Sequence, residues 1–428
     1  MSMASTTGLA RLGLPALPLA FVALPLYMFW PHHMATQFGV SLGVLGGLLF
    51  LARAFDALTD PAIGLWVDRL FARGAQKVLR LSLVIGFALS VSFVLLFFPQ
   101  WLLGQTMTME ALLLLSSVLL VVGYAAYSFL SIALQTWGAR MGGDTLARSR
   151  LVAWREGLAL VGVILASVVP TWLGLHVLVS AFVLLLGLSL WAWWLAPRPT
   201  SVDSSAATRR GFWVGLAGPW GHAGFRRLLL VFMLNGIASA IPATLILFFV
   251  QDRLQLPPES QMVFLGAYFL AAAVSFPIWL RVIRAMGLRR AWLLGMGLAV
   301  AVFVWALALG AGDETAFIWV CVLSGLALGA DLVVPGALLN GLLSEDGPAQ
   351  QTQAGAYLGW WQVATKLNLA LAAGLALPLL NLLGYTPGTQ DAPALLALSW
   401  AYALAPCLLK SLAAGVLFAS ASVFQKET

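Results

Sequence analysis

The chain has 428 residues, 61% hydrophobic and 9% charged, with a mean hydropathy of +0.95. Soluble domains carry about 25% charged residues, so this composition excludes a soluble globular protein. The formal charge of +7 is spread over short segments between apolar runs. A nucleic-acid binder would need a basic soluble domain, and none is present. Cys321 and Cys407 both fall inside apolar runs, which argues against a disulfide framework or a metal cluster.

About 20 apolar residues cross a bilayer as a helix. Twelve runs meet that length, near 14–36, 40–67, 78–99, 109–137, 151–173, 175–196, 228–251, 261–284, 289–310, 315–343, 354–383 and 392–422. The expected fold is an all-α membrane protein, its twelve transmembrane helices forming two six-helix bundles over 1–196 and 228–428. A polar cytoplasmic linker, 197–227, joins them. The first run is long enough to span and reads as a helix rather than a cleavable signal. It carries Pro15, Pro18 and Pro25, then Tyr27, Trp30, His32 and His33 toward its outer end.

The second run holds Arg53, Asp56 and Asp60 at spacings of three and four, which places them on one helical face. Ionised groups in the hydrocarbon layer cost at least a few kcal/mol each unless paired or facing water, so they mark function by default. Two carboxylates against one guanidinium leave a charge of −1, which a bound Na+ or a proton would neutralise. The alternative is an ion-pair network that only holds helices together. Thr59 adds a hydroxyl oxygen beside Asp60, and Pro61 removes a backbone donor and is expected to loosen the helix, freeing a carbonyl.

Asp68, Arg69 and Arg73 follow in the second-to-third loop, and Arg140, Arg150, Arg155 and Glu156 recur in the fourth-to-fifth. They are either topogenic charge alone or gating pairs that latch one access state. In the fourth run Tyr124, Tyr127, Ser128, Ser131 and Gln135 interrupt an apolar sequence, as residues lining a cavity or gluing helices would. The linker opens Pro197-Arg198-Pro199-Thr200, and its part from Phe212 to Phe225, rich in Trp and Gly, suits an amphipathic stretch on the cytoplasmic surface. Asp331 in the tenth run stands four residues before Pro335. It is either a cavity carboxylate or a partner for backbone freed at a proline kink.

Lys366 lies near the middle of the eleventh run, with Trp361 and Asn368 close by. Roughly 12 residues separate it from the nearer end, about 18 Å at helical rise, too far for a lysine to snorkel. It reads as a cationic partner to the acids of the second run, or as a lysine facing a wet cavity. Lys410 in the last run either faces a cavity or marks a boundary error. All but four of the 23 Lys and Arg fall at one side; Arg53, Lys366 and Lys410 are in spans, and Arg253 is opposite. The positive-inside rule puts that side, and both termini, in the cytoplasm. The expected location is a bacterial cytoplasmic membrane.

An embedded enzyme would need a nucleophile–base pair or metal ligands. The four histidines are His32, His33, His176 and His222, and no zinc, nucleophile-elbow or phosphate-loop motif is found. No enzyme activity, cofactor or metal beyond a coupling Na+ is expected. A transport-dead receptor would not need the embedded charges.

The pattern Arg53, Asp56, Ala57, Asp60, Pro61 and Gly64 resembles the helix-two signature of the glycoside-pentoside-hexuronide cation symporters, the melibiose permease-like family of the major facilitator superfamily. The likeness extends to Trp154-Arg155-Glu156, Gly329-Ala330-Asp331 and a lysine in the eleventh span. It implies cation-coupled transport of a sugar or glycoside by alternating access. Asp56 and Asp60 would be the cation carboxylates, Thr59 a contributor, and Lys366, with Arg53, the coupling charges. Tyr27, Tyr124, Tyr127, Ser128, Asp331, Trp361 and Asn368 would line the substrate cavity. The partners would be a small solute, a monovalent cation and the bilayer, with the protein a monomer. The sugar-moving members use an aspartate in the first span and another in the fourth; here the first span has no acid and the fourth-span position matches Ser128. A fourth-span hydroxyl that helps Na+ is matched by Ala125. These departures make a proton a credible coupling ion beside Na+, and the aromatic outer end of the first span, with Tyr27 and Trp30, keeps a lysolipid-like solute as the alternative substrate.

Overall fold

The computed structural model describes residues 6–40, 42–104, 107–199, 212–257, 260–345, 353–386 and 388–420. Its helices are α1 Thr6–Gly13, α2 Ala16–Leu24, α3 Trp30–Phe38, α4 Leu42–Ala72, α5 Ala75–Phe97, α6 Gln100–Leu103, α7 Met109–Arg140, α8 Thr145–Trp194, α9 Phe212–Gly221, α10 Ala223–Phe248, α11 Ser260–Phe303, α12 Glu314–Glu345, α13 Ala354–Leu382, α14 Ala392–Ser399 and α15 Ala405–Ala419. Each of the twelve apolar runs is helical over nearly all of its described length. Eight helical segments among the described residues are long and apolar enough to cross a membrane.

Two pairs of spans follow each other without a loop. α8 and α11 each break at one residue, Gly174 (φ 80°) and Gly287 (φ 78°), where a positive φ favours a residue without Cβ. Three helices start on side-chain caps. Thr108 accepts from the Ala111 N–H, Asp144 from Ala147, and the His222 ring from Phe225. Single π-helical turns interrupt the helices at Pro25–Phe29, Phe249–Arg253 and Trp400–Leu404.

The chain divides into two compact units, residues 1–219 with 343–363 and residues 220–342 with 364–428. α13 therefore starts in the first unit and ends in the second. In the first unit α2 packs on α8, and α4 and α5 pack on α7. Phe93 and Phe182 meet at 4.6 Å in its core, and Trp30 and Trp137 are fully buried. The Trp30 indole donates to the Leu96 carbonyl at 3.0 Å, tying α3 to α5. In the second unit α15 packs on α10 and α11. Phe249 and Tyr402 stack there at 4.0 Å, beside Phe317. Large apolar side chains such as Phe50, Leu58, Phe87 and Leu184 point outward, as lipid-facing residues do.

Three local expectations are corrected. α4 runs to Ala72, α7 ends at Arg140 and α8 begins at Thr145, so Asp68, Arg69, Arg140, Arg150, Arg155 and Glu156 are helical rather than part of the second-to-third and fourth-to-fifth loops. The Asp144 cap starts the helix before the apolar run does. Pro61 does not loosen α4, whose helix runs on through it; proline only removes the donor that would meet the Ala57 carbonyl. Pro335 likewise sits inside α12, and Asp331 bonds side chains rather than freed backbone there.

Candidate cation and substrate site

α4 places Asp56 and Asp60 one turn apart, and both are buried, at 2% and 0% exposure. Opposite them on α7, the Ser128 hydroxyl donates to Asp56 Oδ1 at 2.6 Å. Thr59 donates to the Asp56 backbone carbonyl at 3.1 Å, so its hydroxyl proton turns back onto its own helix while its lone pairs stay available. The Arg53 guanidinium lies 5.9 Å from the Tyr124 ring centre, within cation–π range. Tyr127 lies within reach of the charges of Asp56, Asp60, Glu156 and Arg53. The acids are thus lined by Ser128, Thr59, Tyr124 and Tyr127, all oxygen-bearing groups, and hard monovalent cations and protons bind oxygen. Among the described residues no group of three His, Cys, Asp or Glu stands close enough to hold a metal ion.

Glu156 pairs with its neighbour Arg155, which donates twice to Oε1 at 3.1 and 2.8 Å. Glu156 also lies in the electrostatic neighbourhood of Tyr127. Gln362 was not singled out. It donates to Ser131 at 2.7 Å, and Gln135 donates to the same hydroxyl at 3.1 Å. The signal was available: an amide in mid-span, one helical turn before Lys366. Trp361 is buried beside it. Lys366 is half-buried, in the part of α13 belonging to the second unit. Asn368 is buried in that unit against Gly236, where an added Cβ would come within 2.0 Å of the Asn368 amide nitrogen. Tyr27 lies in the π-helical turn Pro25–Phe29, and its side chain, like that of His32, is outside the described set.

At the far end of α4, Asp68 bonds to three groups. Its carboxylate accepts from Arg140 at 2.8 Å and from the Gly355 and Ala356 N–H groups at 2.9 and 3.0 Å. It thereby caps the N-terminus of α13, where unpaired N–H groups and the helix dipole favour an anion. Arg140 is held in turn over the Phe71 ring at 4.6 Å. Burial pushes Asp68 up to about 6, against the lowering effect of Arg140 and the two N–H groups. The approach is close because Gly64 faces Gly355; a Cβ on Gly64 would lie 2.1 Å from the Gly355 carbonyl oxygen. Arg69 and Arg150 are half-buried and Arg73 is exposed, and none of the three forms an ion pair among the described residues.

In the second unit Asp331 pairs with Lys410 at 2.5 Å and accepts from the Trp292 indole at 2.9 Å. Lys410 also donates to Asn235 at 2.7 Å and Ser239 at 3.4 Å. Lys410 is therefore an internal ion-pair residue, which decides a point the sequence left open.

The all-helical fold and the family match place the chain among the major facilitator superfamily transporters. The chain is a member of the family described as MFS/sugar transport protein, the melibiose permease-like branch, which it matches over residues 12–420. Comparison with curated proteins gives no match. Among solved structures it is similar to a bacterial homologue of the iron transporter ferroportin in an outward-facing state, with TM-score 0.70, 16% identity, and 99% and 100% of the two chains covered. It is similar to the transporter FucP in its outward conformation, with TM-score 0.69, 15% identity, and 96% and 99% covered. It also resembles the proton:xylose symporter XylE bound to 6-bromo-6-deoxy-D-glucose, with TM-score 0.62, 13% identity, and 96% and 94% covered. At these identities the likeness establishes the fold.

Proposed function

We propose that the protein is a cation-coupled secondary transporter that moves a small organic solute across the cytoplasmic membrane by alternating access. By family resemblance the solute is a sugar or glycoside, and the coupling ion is a proton or Na+. The observation that carries this is the pair Asp56 and Asp60, both buried on one face of α4, with a serine hydroxyl trained on Asp56. Cation binding neutralises the acids and changes the cost of burying them. Arg53, and Lys366 farther along α13, respond to that change. Solute then binds beside the site, near Tyr124, Tyr127 and Trp361. Gln362 ties α13 to Ser131 on the same helix that carries Ser128, so a change at the acids has a short path to α13. Asp68, Arg140 and the α13 N-terminus act as a cytoplasmic latch that must release for inward discharge. The reading is monomeric, with both termini cytoplasmic.

Coupling is a difference in binding free energy, so each ligand must tighten the other by the same factor. The test is equilibrium solute binding to purified protein over a range of Na+ and pH, in wild type and Asp56→Asn. Ion dependence in the wild type that vanishes in the variant is expected. Binding indifferent to both ions would overturn the coupling.

One observation favours the second reading, a lysolipid-like solute. Ser128 stands where sugar-moving members are expected to place a sugar-gripping aspartate, and its hydroxyl proton is committed to Asp56. A panel of sugars, glycosides and lysolipids in the same binding assay separates the two.

A further inference from the structure

The second unit contains a cavity of about 120 Å³ bordered by α10, α11, α12 and α15. Its walls are mostly apolar, with Pro242, Phe264, Phe303 and Leu328 among them. Two phenols also line it, Tyr268 and Tyr402, and neither hydroxyl has a hydrogen-bond partner among the described residues. Tyr402 is only 2% exposed. Neither hydroxyl is among the sealed polar atoms that lack a partner, so both open onto the cavity, where a guest's acceptor can reach them.

At one edge stand Asp331 and Lys410. The three protons of Lys410 go to Asp331, Asn235 and Ser239, and the second Asp331 oxygen accepts from Trp292. This ion pair is complete in itself. It offers no unmatched charge to an ion, so a charged guest would lose its hydration without gaining a counter-charge. The unpaired donors are phenolic, and they call for an acceptor oxygen. The volume is comparable to dry cavities that hold a benzene-sized guest.

We propose that this cavity is a ligand site of its own, separate from the Asp56–Asp60 site, and that it takes a neutral, mostly apolar monocyclic molecule bearing one acceptor oxygen. The phenols of Tyr268 and Tyr402 donate to that oxygen, and the ring lies against Phe264 and Phe303.

The test uses the full chain in lipid nanodiscs, with cyclohexanone as probe and cyclohexane as its counterpart lacking the oxygen, read by thermal shift and by saturation-transfer NMR. Saturable stabilisation by cyclohexanone is expected, with cyclohexane at least tenfold weaker. The double variant Tyr268→Phe, Tyr402→Phe loses about tenfold for cyclohexanone and nothing for cyclohexane, the loss expected for two hydrogen bonds. Ala243→Phe fills the cavity and abolishes the response; should it fail to fold, Ala299→Leu serves in its place. Asp56→Asn leaves the response unchanged, which keeps this site distinguishable from the coupling reading. Non-saturable uptake, equal effects of the two probes, indifference to the phenols, or loss of the response in Asp56→Asn would each overturn the proposal.

Discussion

Replacing Asp68 by alanine removes three acceptor contacts at once, from Arg140, Gly355 and Ala356. Stranding the partner of a buried ion pair costs about 3–5 kcal/mol. The lower end, about 3 kcal/mol, is the working value, and it corresponds to roughly a hundredfold rise in the open fraction. Ala354, the first residue of α13, is fully buried, so Ala354→Cys reports opening by maleimide labelling. The Asp68→Ala variant should label about a hundredfold faster in that background. The contact also responds to pH. Burial raises Asp68 from 3.8 to about 6, so the packed arrangement binds the proton more tightly than one in which Asp68 meets water. The resulting stabilisation is fully present below about pH 4 and is lost as pH rises through about 6. In the Ala354→Cys protein with Asp68 intact, labelling relative to a free thiol at the same pH should therefore slow by up to roughly tenfold per unit between about pH 6 and pH 4. Asp68→Asn keeps one acceptor and should show a flat profile on that relative scale. Labelling unchanged within twofold in Asp68→Ala would refute the latch, and an equal pH slope in Asp68→Asn would refute the assignment of the titrating group.

Ser128→Ala removes the hydroxyl that donates to Asp56 and stabilises its carboxylate, so the site should take a proton about tenfold more tightly, the worth of a hydrogen bond to a charged group, as read by the pH dependence of solute binding. Gly64→Ala drives a methyl into the Gly355 carbonyl and should destabilise the protein by about 1–3 kcal/mol while speeding Ala354→Cys labelling. Lys410→Met strands buried Asp331 and should cost about 3–5 kcal/mol in thermal unfolding. The double change Asp331→Leu with Lys410→Met should restore much of that loss, because no unpaired charge then remains. If the double variant is no better than the single, the cluster does more than balance its own charge.

Much of this molecule was legible from the chain itself. Hydrocarbon length fixes which runs become spans, so the twelve helices and their approximate limits followed from composition. The helical period put Asp56 and Asp60 on one face before any packing was known. Helix starts shifted where a cap such as Asp144 took over from the apolar pattern, moving Arg150, Arg155 and Glu156 into α8. Partners across helices were not legible, because they depend on crossing geometry rather than spacing. Ser128 on Asp56 joins residues 72 positions apart, and Lys410 on Asp331 joins residues 79 apart. The Asp68 contact with Gly355 spans 287. The chain alone determined which charges had to be sheltered from lipid, since the cost of an embedded ion is local. Which group shelters each one was decided only by tertiary packing, because a glycine pair such as Gly64 and Gly355 sets how near two helices come and hence which side chains meet.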